Sequence, residues 1–224
     1  MKFLESMALF NFLRGPMVWI AFIIFIFGSI YRIYSLTKSA KEDKRIFPYL
    51  NFKAIVKSLI HWLIPLGSRS WRLSPGFAIL TSLFHIGLVF TPIFLLGHNI
   101  LWQESWGISW ATFPTIWAHI LSVIVIIGSV FFILRRIFNP VTRFVGTIRE
   151  YIFILICFFT FLTGFLAHYQ WGLPYRAMLN LHIIFGEIML ISIPFTRLAH
   201  MFNFFLTRAW MASQAATIWR TKDW

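Results

Sequence analysis

The sequence predicts an all-α integral membrane protein with five transmembrane helices. Of its 224 residues, 59% are hydrophobic and only 12% are charged, and the mean hydropathy is +0.76. A soluble domain carries about twice that charged fraction. Several apolar runs reach the roughly 20 residues that a helix needs to cross a bilayer, which favours helices over barrel strands.

The apolar runs define the spans in chain order. We expect the five helices at about 17–36, 77–99, 112–134, 151–171 and 178–203. The first run is too long for the core of a signal peptide and lacks a small-residue cleavage site, so we expect it to remain as a helix. Residues 1–224 are expected to form a single membrane domain.

A long basic stretch, from Lys38 to Arg72, separates the first two spans. Its cationic residues are Lys38, Lys41, Lys44, Arg45, Lys53, Lys57, Arg69 and Arg72. Within it, the segment FKAIVKSLIHWLIPL alternates apolar and basic residues at helical spacing. This pattern predicts an amphipathic helix at about 50–66 that lies on the membrane surface, and docking of a soluble partner would suit the same face equally well.

Positive charge alternates between successive loops. The loop between spans two and three has no Lys or Arg, and the loop between spans four and five has only Arg176. The segments on the other side of the membrane are basic. The loop after span three carries Arg135, Arg136, Arg143 and Arg149, and the C-terminal tail carries Arg208, Arg220 and Lys222. The N-terminus is therefore predicted outside and the C-terminus inside. The net charge of +13 is explained by topology, and no nucleic-acid partner is expected because no matching basic motif is present.

Four histidines lie at two depths of the predicted spans. His182 and His200 are eighteen residues apart in one apolar run. On a continuous helix this is five turns and about 27 Å, so both rings would share one face across a core about 30 Å deep. His85 and His98 lie on an antiparallel span, which pairs His85 with His200 near the inner surface and His98 with His182 near the outer one. Each pair suits the two axial positions of a b-type haem, an arrangement for electron transfer because no iron position stays open.

Two further residues fit this hypothesis. Gly186 lies one turn after His182, where a missing side chain would let a porphyrin face approach. Arg197 precedes His200 by three residues and is placed to meet a haem propionate.

The outer ligand on the second span has alternatives. On an ideal helix, the step of thirteen residues from His85 to His98 would turn the two rings about 140° apart. Pro92 and Pro194 lie between the members of each pair, and proline kinks change both rotation and rise. His119 and His168 lie near the same outer surface and could replace His98.

Glu187 is the only acidic residue within a predicted span. Charge at that depth is expensive, and the side chain is turned about 140° from the face that carries His182. It could be a neutral acid bonded to a neighbouring helix, line a proton or quinone path, or bind a partner subunit. The single cysteine, Cys157, cannot form an internal disulfide.

Several segments together resemble a known family. They are FIFGSIYRIY in the first span, LFHIG and the later GH in the second, LRRIFNP after the third, and LHIIFG and PFTRLAH in the fifth. In these segments the chain resembles the respiratory nitrate reductase gamma-subunit family, the five-helix dihaem cytochromes b. The short loop before span five and the long basic stretch resemble the cytochrome b subunits of sulfate-reducer membrane complexes, such as the high-molecular-weight cytochrome complex.

The resemblance implies a cofactor set, a location and partners. It implies two haem b groups, held by His85 with His200 and by His98 with His182, and quinol chemistry near the outer haem with menaquinone as a candidate. It also implies the bacterial inner membrane. The implied partners are a cytoplasmic iron–sulfur protein, a periplasmic multihaem cytochrome c and a second quinone-interacting membrane subunit.

The expected function is that of an electron-transfer subunit in an oxidoreductase complex, which moves electrons across the membrane. Two alternatives belong to other classes. The chain could be a haem-free anchor or assembly subunit in which the histidines only pack, or a proton-conducting subunit centred on Glu187. Bound haem distinguishes the first alternative, and proton flux that depends on Glu187 distinguishes the second.

Overall fold

The computed structural model describes residues 2–42 and 50–223, and the regular structure in these ranges is helical. Within them, five helices are long and apolar enough to cross a membrane: Met7–Lys41, Pro75–Trp106, Thr115–Phe138, Ile148–Tyr169 and Tyr175–Phe195. The all-α class and the number of membrane-length helices are thus confirmed. Lys44 and Arg45 of the basic stretch lie outside the described residues.

We number the helices in chain order. They are α1 (Met7–Lys41), α2 (Phe52–Leu63), α3 (Arg69–Arg72), α4 (Pro75–Trp106), α5 (Thr115–Phe138), α6 (Pro140–Val145), α7 (Ile148–Tyr169), α8 (Tyr175–Phe195) and α9 (His200–Thr217). α1 contains a π-helical turn, Leu13–Met17, around Pro16. α4 consists of two helical pieces on either side of Leu95, whose backbone is extended. α7 begins at a capping box of Thr147 and Glu150.

The predicted fifth span, 178–203, is wrong at its C-terminal end. α8 stops at Phe195, a short 3-10 turn covers Arg197–Ala199, and His200 begins a separate helix. The cause is local: Thr196 is extended (φ −122°, ψ −173°), and its hydroxyl accepts a hydrogen bond from the Leu198 amide, which caps the new turn. His182 and His200 therefore do not share one helix, and their rings are not related by five turns of it.

The chain folds as two compact units. The first comprises Met1–Trp19 with Leu80–Met189, and the second comprises Ile20–Ile79 with Leu190–Trp224. The core of the first unit lies where α4, α5 and α7 meet, at Phe84, Val125 and Phe161. Glycines permit the close approach of α4 and α5, because a Cβ on Gly87 would lie 2.7 Å from Val125 Cγ2 and one on Gly128 would lie 2.9 Å from Phe84 Cδ2.

The second unit contains a pair of packed helices, α2 and α9. Small buried residues meet there: Ala54 and Ser58 from α2, and Ala212, Ser213 and Ala215 from α9. The tail folds back over the pair, where the Asp223 carboxylate accepts a hydrogen bond from Ser58 Oγ (2.7 Å) and pairs with Arg208 (3.6 Å). The Arg208 guanidinium lies 4.1 Å from the centre of the Trp62 ring.

The predicted helix at 50–66 forms as α2. Its opposite side leaves an apolar stripe exposed, made of Phe52, Val56, Ile60 and Leu63. Lys53 and Lys57 are exposed beside the stripe. The helix is therefore amphipathic, as the sequence predicts, and its position on a membrane surface stays a prediction.

Candidate functional site

His98 of α4 and His182 of α8 face each other in the first unit. Their ring centres are 6.0 Å apart, and the ring planes lie within 11° of parallel. Both rings are half-buried. Of the three histidines that the sequence offered as outer partners of His182, His98 is the one whose ring lies opposite it.

The break in α4 explains how His98 reaches this position. An unbroken helix would satisfy the carbonyls of Pro92, Ile93 and Phe94 with amides four residues later. Here the extended Leu95 interrupts that ladder, and three other donors take over. His98 Nδ1 donates to Pro92 O (2.8 Å), Trp110 Nε1 donates to Ile93 O (2.9 Å), and the Phe113 amide donates to Phe94 O (2.9 Å). α4 is thus broken three residues after Pro92, and the imidazole of His98 bonds to one of the freed carbonyls.

Hydrogen bonds hold the loop after α4 against the break in that helix. Asn99, which is buried, donates from Nδ2 to Trp110 O (2.6 Å) and accepts from the Trp110 amide at Oδ1 (3.3 Å). Trp110 therefore contacts both pieces of α4, through Asn99 and through Ile93 O. The loop and the orientation of His98 form one hydrogen-bonded assembly.

The neighbouring helix α7 sets the orientation of His182. His182 Nδ1 donates to Thr160 O (2.9 Å). A Cβ on Gly164 would lie 2.8 Å from His182 Cε1, so only glycine leaves room for the ring. Sequence reasoning missed both α7 residues. Their signal was a pair of small residues four positions apart in an otherwise bulky apolar run, which typically marks a helix–helix contact.

The hydrogen bonds leave one ring nitrogen available on each side. Each imidazole uses Nδ1 as the donor to a backbone carbonyl, which fixes the tautomer that carries its lone pair on Nε2. Metal–imidazole bonds of about 2.0–2.1 Å would separate two ring centres by about 6 Å across a shared ion. The 6.0 Å between the ring centres of His98 and His182 equals that separation, which makes the two imidazoles candidates to hold one metal ion. Across residues 2–42 and 50–223, no group of three or more His, Cys, Asp or Glu residues could hold an ion.

Gly186 leaves space beside this pair. A Cβ built on Gly186 would meet nothing within 4 Å. It lies one turn beyond His182 on α8. The approach of a flat ligand to α8 at Gly186 stays a prediction.

The predicted inner ligands, His85 and His200, belong to different units. His85 Nδ1 donates to Thr81 O (2.7 Å) within α4, and His200 Nδ1 donates to Arg197 O (2.9 Å) in the 3-10 turn. Arg197 thus holds the ring of His200 through its backbone, and its side chain is exposed. Both rings have the Nδ1-to-carbonyl arrangement of the outer pair.

The second unit contains buried polar atoms that lack a partner among the described residues. They are Ser29 Oγ, Arg32 Nε, Asn203 Oδ1 and Asp223 Oδ1. An unpaired guanidinium nitrogen within an apolar helix is costly unless an acceptor reaches it. A carboxylate such as a haem propionate is the kind of acceptor that would satisfy Arg32.

His119 and His168 form a separate cluster with Tyr169. The two imidazole centres are 4.5 Å apart at an angle of 65°, and His119 Nδ1 shares a hydrogen bond with the Tyr169 hydroxyl (3.0 Å). This arrangement differs from that of the four predicted ligands, whose Nδ1 atoms all bond to backbone carbonyls.

Glu187 is buried, with 5% of its surface exposed, and its Oε1 has no hydrogen-bond partner in the described part of the chain. Asn180 lies seven residues earlier on the same face of α8. It is fully buried, donates from Nδ2 to Leu4 O (2.8 Å), and has an unpartnered Oδ1 within the same ranges. Glu187 Oε1 and Asn180 Oδ1 are thus two buried oxygen atoms on one face of α8 that have no hydrogen-bond donor among the described residues.

The chain is similar to a curated protein of Nitratidesulfovibrio vulgaris strain Hildenborough. The two are 38% identical over 205 residues, which cover 89% of this chain and 90% of that protein. The relative is named simply "Protein", a name that states no function. No protein-family model matches the chain, and no solved structure matches it.

Proposed function

We propose that this chain, which belongs to the same family as the Nitratidesulfovibrio vulgaris protein, is a dihaem cytochrome b subunit of a membrane respiratory redox complex. In this proposal, electrons cross the membrane between an outer quinone or periplasmic cytochrome site and a cytoplasmic iron–sulfur partner. The observation that carries the proposal is the facing pair His98 and His182, whose ring centres are 6.0 Å apart.

The residues around this pair would hold and tune a haem. Backbone carbonyls of Pro92 and Thr160 orient the two rings and raise the basicity of Nε2. A bound haem would supply reversible one-electron chemistry. Ligation by two histidines leaves no iron position for oxygen or substrate, which suits electron transfer.

The second haem of the proposal uses His85 and His200. Arg197 and Arg32, whose Nε has no partner among the described residues, would supply positive charge for its propionates. The support for this second haem is the pairing of His85 with His200 by depth in the sequence and the lack of a partner for Arg32 Nε among the described residues. Quinol chemistry beside the outer haem, with menaquinone as the candidate quinone, is the further part of this proposal.

The proposed location is the bacterial inner membrane, with the N-terminus outside and the C-terminus inside. Alternation of basic loops supports this topology. The apolar stripe of α2, with Lys53 and Lys57 beside it, supports an amphipathic helix that lies in the membrane surface. The proposed partners are an iron–sulfur protein, a multihaem cytochrome c and a second membrane subunit.

The test is a pyridine haemochrome assay with a reduced-minus-oxidised spectrum on the purified chain. We expect two b haems per chain, and one after either His98→Ala or His182→Ala. His168→Ala serves as the matched control and should retain both. No haem in the intact, folded chain would overturn the proposal in favour of an anchor subunit.

Glu187 favours a second candidate function, proton conduction. Its buried carboxyl, with Oε1 unpartnered within the described residues, is a suitable stopping point for a proton, and Asn180 Oδ1 lies on the same face of α8. Proton uptake into vesicles that contain the chain would fall in a Glu187→Gln variant if this function holds. Unchanged uptake, with haem content also unchanged, would reject it.

A further inference from the structure

The turn between α5 and α6 contains two shallow grooves. One, of about 430 Å³, is lined by Phe131, Leu134, Arg135, Phe138, Asn139 and Pro140. The other, of about 290 Å³, is lined by Ile137, Phe138, Pro140, Arg143 and Phe144. Phe138 and Pro140 line both, so the grooves adjoin each other around the end of α5.

The apolar residues at this turn are unusually exposed. The exposed fraction is 76% for Phe138, 75% for Val141 and 91% for Phe144. α6 begins at Pro140 with an Asn139 side-chain cap, which fixes the short helix and projects these side chains outward. Apolar groups clustered in this way are unfavourable in water and mark a surface that contacts lipid or another molecule.

Positive charge lies beside the apolar surface. Arg135 and Arg143 each line one groove. Arg136 is partly offset by the buried carboxylate of Glu150 at 4.0 Å. Arg143 and Arg149 are exposed and make no ion pair with the described residues. The turn therefore carries net positive charge next to an apolar groove.

The position of this turn at the end of a membrane-length helix indicates which kind of molecule would bind there. α5 is a membrane-length helix, and Arg135 and Arg136 lie in its last turn, where lipid head groups are found. Arginine binds phosphate oxygens through two parallel hydrogen bonds, and basic pockets at helix ends bind anionic head groups. The apolar side chains of Phe131, Leu134 and Phe138 line the same groove as Arg135 and are exposed along α5.

We propose that the α5–α6 turn is a binding site for one anionic phospholipid of the surrounding bilayer. The phosphate contacts Arg135 and Arg143, and an acyl chain lies along Phe131, Leu134 and Phe138. The site lies wholly in the first unit and does not depend on bound haem. An acidic protein segment is the competing occupant, and the experiment separates the two.

The experiment is native mass spectrometry of the intact chain in a neutral detergent, titrated with phosphatidylglycerol or phosphatidylcholine. We expect one phosphatidylglycerol to be retained in preference to phosphatidylcholine. Arg143→Gln should weaken that retention about five-fold, as expected for the loss of one cation near an anionic head group. Arg176→Gln removes the same charge from an exposed position in the same unit and should leave retention unchanged.

Three results would overturn the proposal. These are equal retention of the two lipids, equal weakening by Arg176→Gln and Arg143→Gln, or retention unaffected by Arg143→Gln. Size-exclusion chromatography confirms that each variant is folded. Binding of polyglutamate that is lost in Arg143→Gln, without any preference for phosphatidylglycerol, would assign the surface to an acidic protein partner instead.

Discussion

The imidazoles of the four predicted ligands share one hydrogen-bonding arrangement reached in different ways. His85 bonds to a carbonyl four residues earlier in its own helix, and His200 bonds to one three residues earlier. His98 reaches across a helix break, and His182 reaches a different helix. The common result is a proton on Nδ1 and a lone pair on Nε2, which is the state that ligates a metal.

The α7 glycine beside His182 offers the sharpest residue-level test. In Gly164→Ala the new Cβ would lie 2.8 Å from Cε1 and 3.0 Å from Nδ1 of His182, so the ring must leave its position. We expect the haem content of the purified chain to fall from two towards one, as measured by the pyridine haemochrome assay. The bond to Thr160 O should weaken with it.

Gly76→Ala is the control for this substitution, because a Cβ there meets nothing within 4 Å. It should keep both haems and the wild-type spectrum. If Gly164→Ala also keeps both haems with an unaltered spectrum, then the orientation of His182 does not depend on α7.

The residue types of the site were visible in the sequence, but their contacts were only partly so. The spacing of His98 and His182 on antiparallel helices predicted a shared depth, and the structure places the two rings together. The small residues Thr160 and Gly164 indicate a helix–helix contact on α7. They do not indicate that the contact is with His182, because the rotation of α7 about its own axis depends on packing with other helices.

At the level of elements, hydropathy located the spans well and their ends poorly. Each predicted span overlaps a membrane-length helix, whose bounds differ by several residues. The first helix begins ten residues before the predicted start, and α8 ends eight residues before the predicted end, although Leu198 and Ala199 continue the apolar pattern beyond Phe195. A single threonine cap at Thr196 ended the helix, and such a cap is invisible to hydropathy.

The packed pair α2 and α9 depends on the last residues of the chain. Asp223→Ala would remove the acceptor of Ser58, which is fully buried, and the counter-ion of Arg208. A buried hydroxyl left without its partner costs about 1–3 kcal/mol. We expect a lower midpoint of thermal unfolding and faster proteolysis within α9.

Thr221→Ala is the matched control, since its hydroxyl is exposed and bonds only weakly to Lys222 O at 3.5 Å. Its midpoint should equal that of the wild type. Equal midpoints for Asp223→Ala and the wild type would mean that the tail does not stabilise the helix pair.

At the scale of the whole molecule, the distribution of charged and aromatic residues predicts how the chain lies in a membrane. In the first unit an ion pair between Arg14 and Glu104 joins the start of α1 to the end of α4. Tryptophans gather at the same end: Trp19 lies 5.3 Å from Trp106, which lies 4.6 Å from Trp102. Tryptophan clusters of this kind are typical of a membrane–water interface.

The predicted topology can be measured with reporter fusions. Green fluorescent protein attached after residue 224 should fluoresce, because the C-terminus is predicted to be cytoplasmic. Alkaline phosphatase inserted in the loop after Gly107 should be active, because that loop is predicted to be periplasmic. The reverse pattern would invert the topology and exchange the inner and outer histidine pairs.

The broken ladder in α4 has a mechanical consequence. The carbonyls freed around Leu95 are shared between a candidate metal ligand, His98, and a surface loop held by Trp110 and Phe113. Force applied to that loop would reach the imidazole through only one or two hydrogen bonds. A molecule that binds this loop and then releases it would thereby tilt the imidazole of His98 without contacting it.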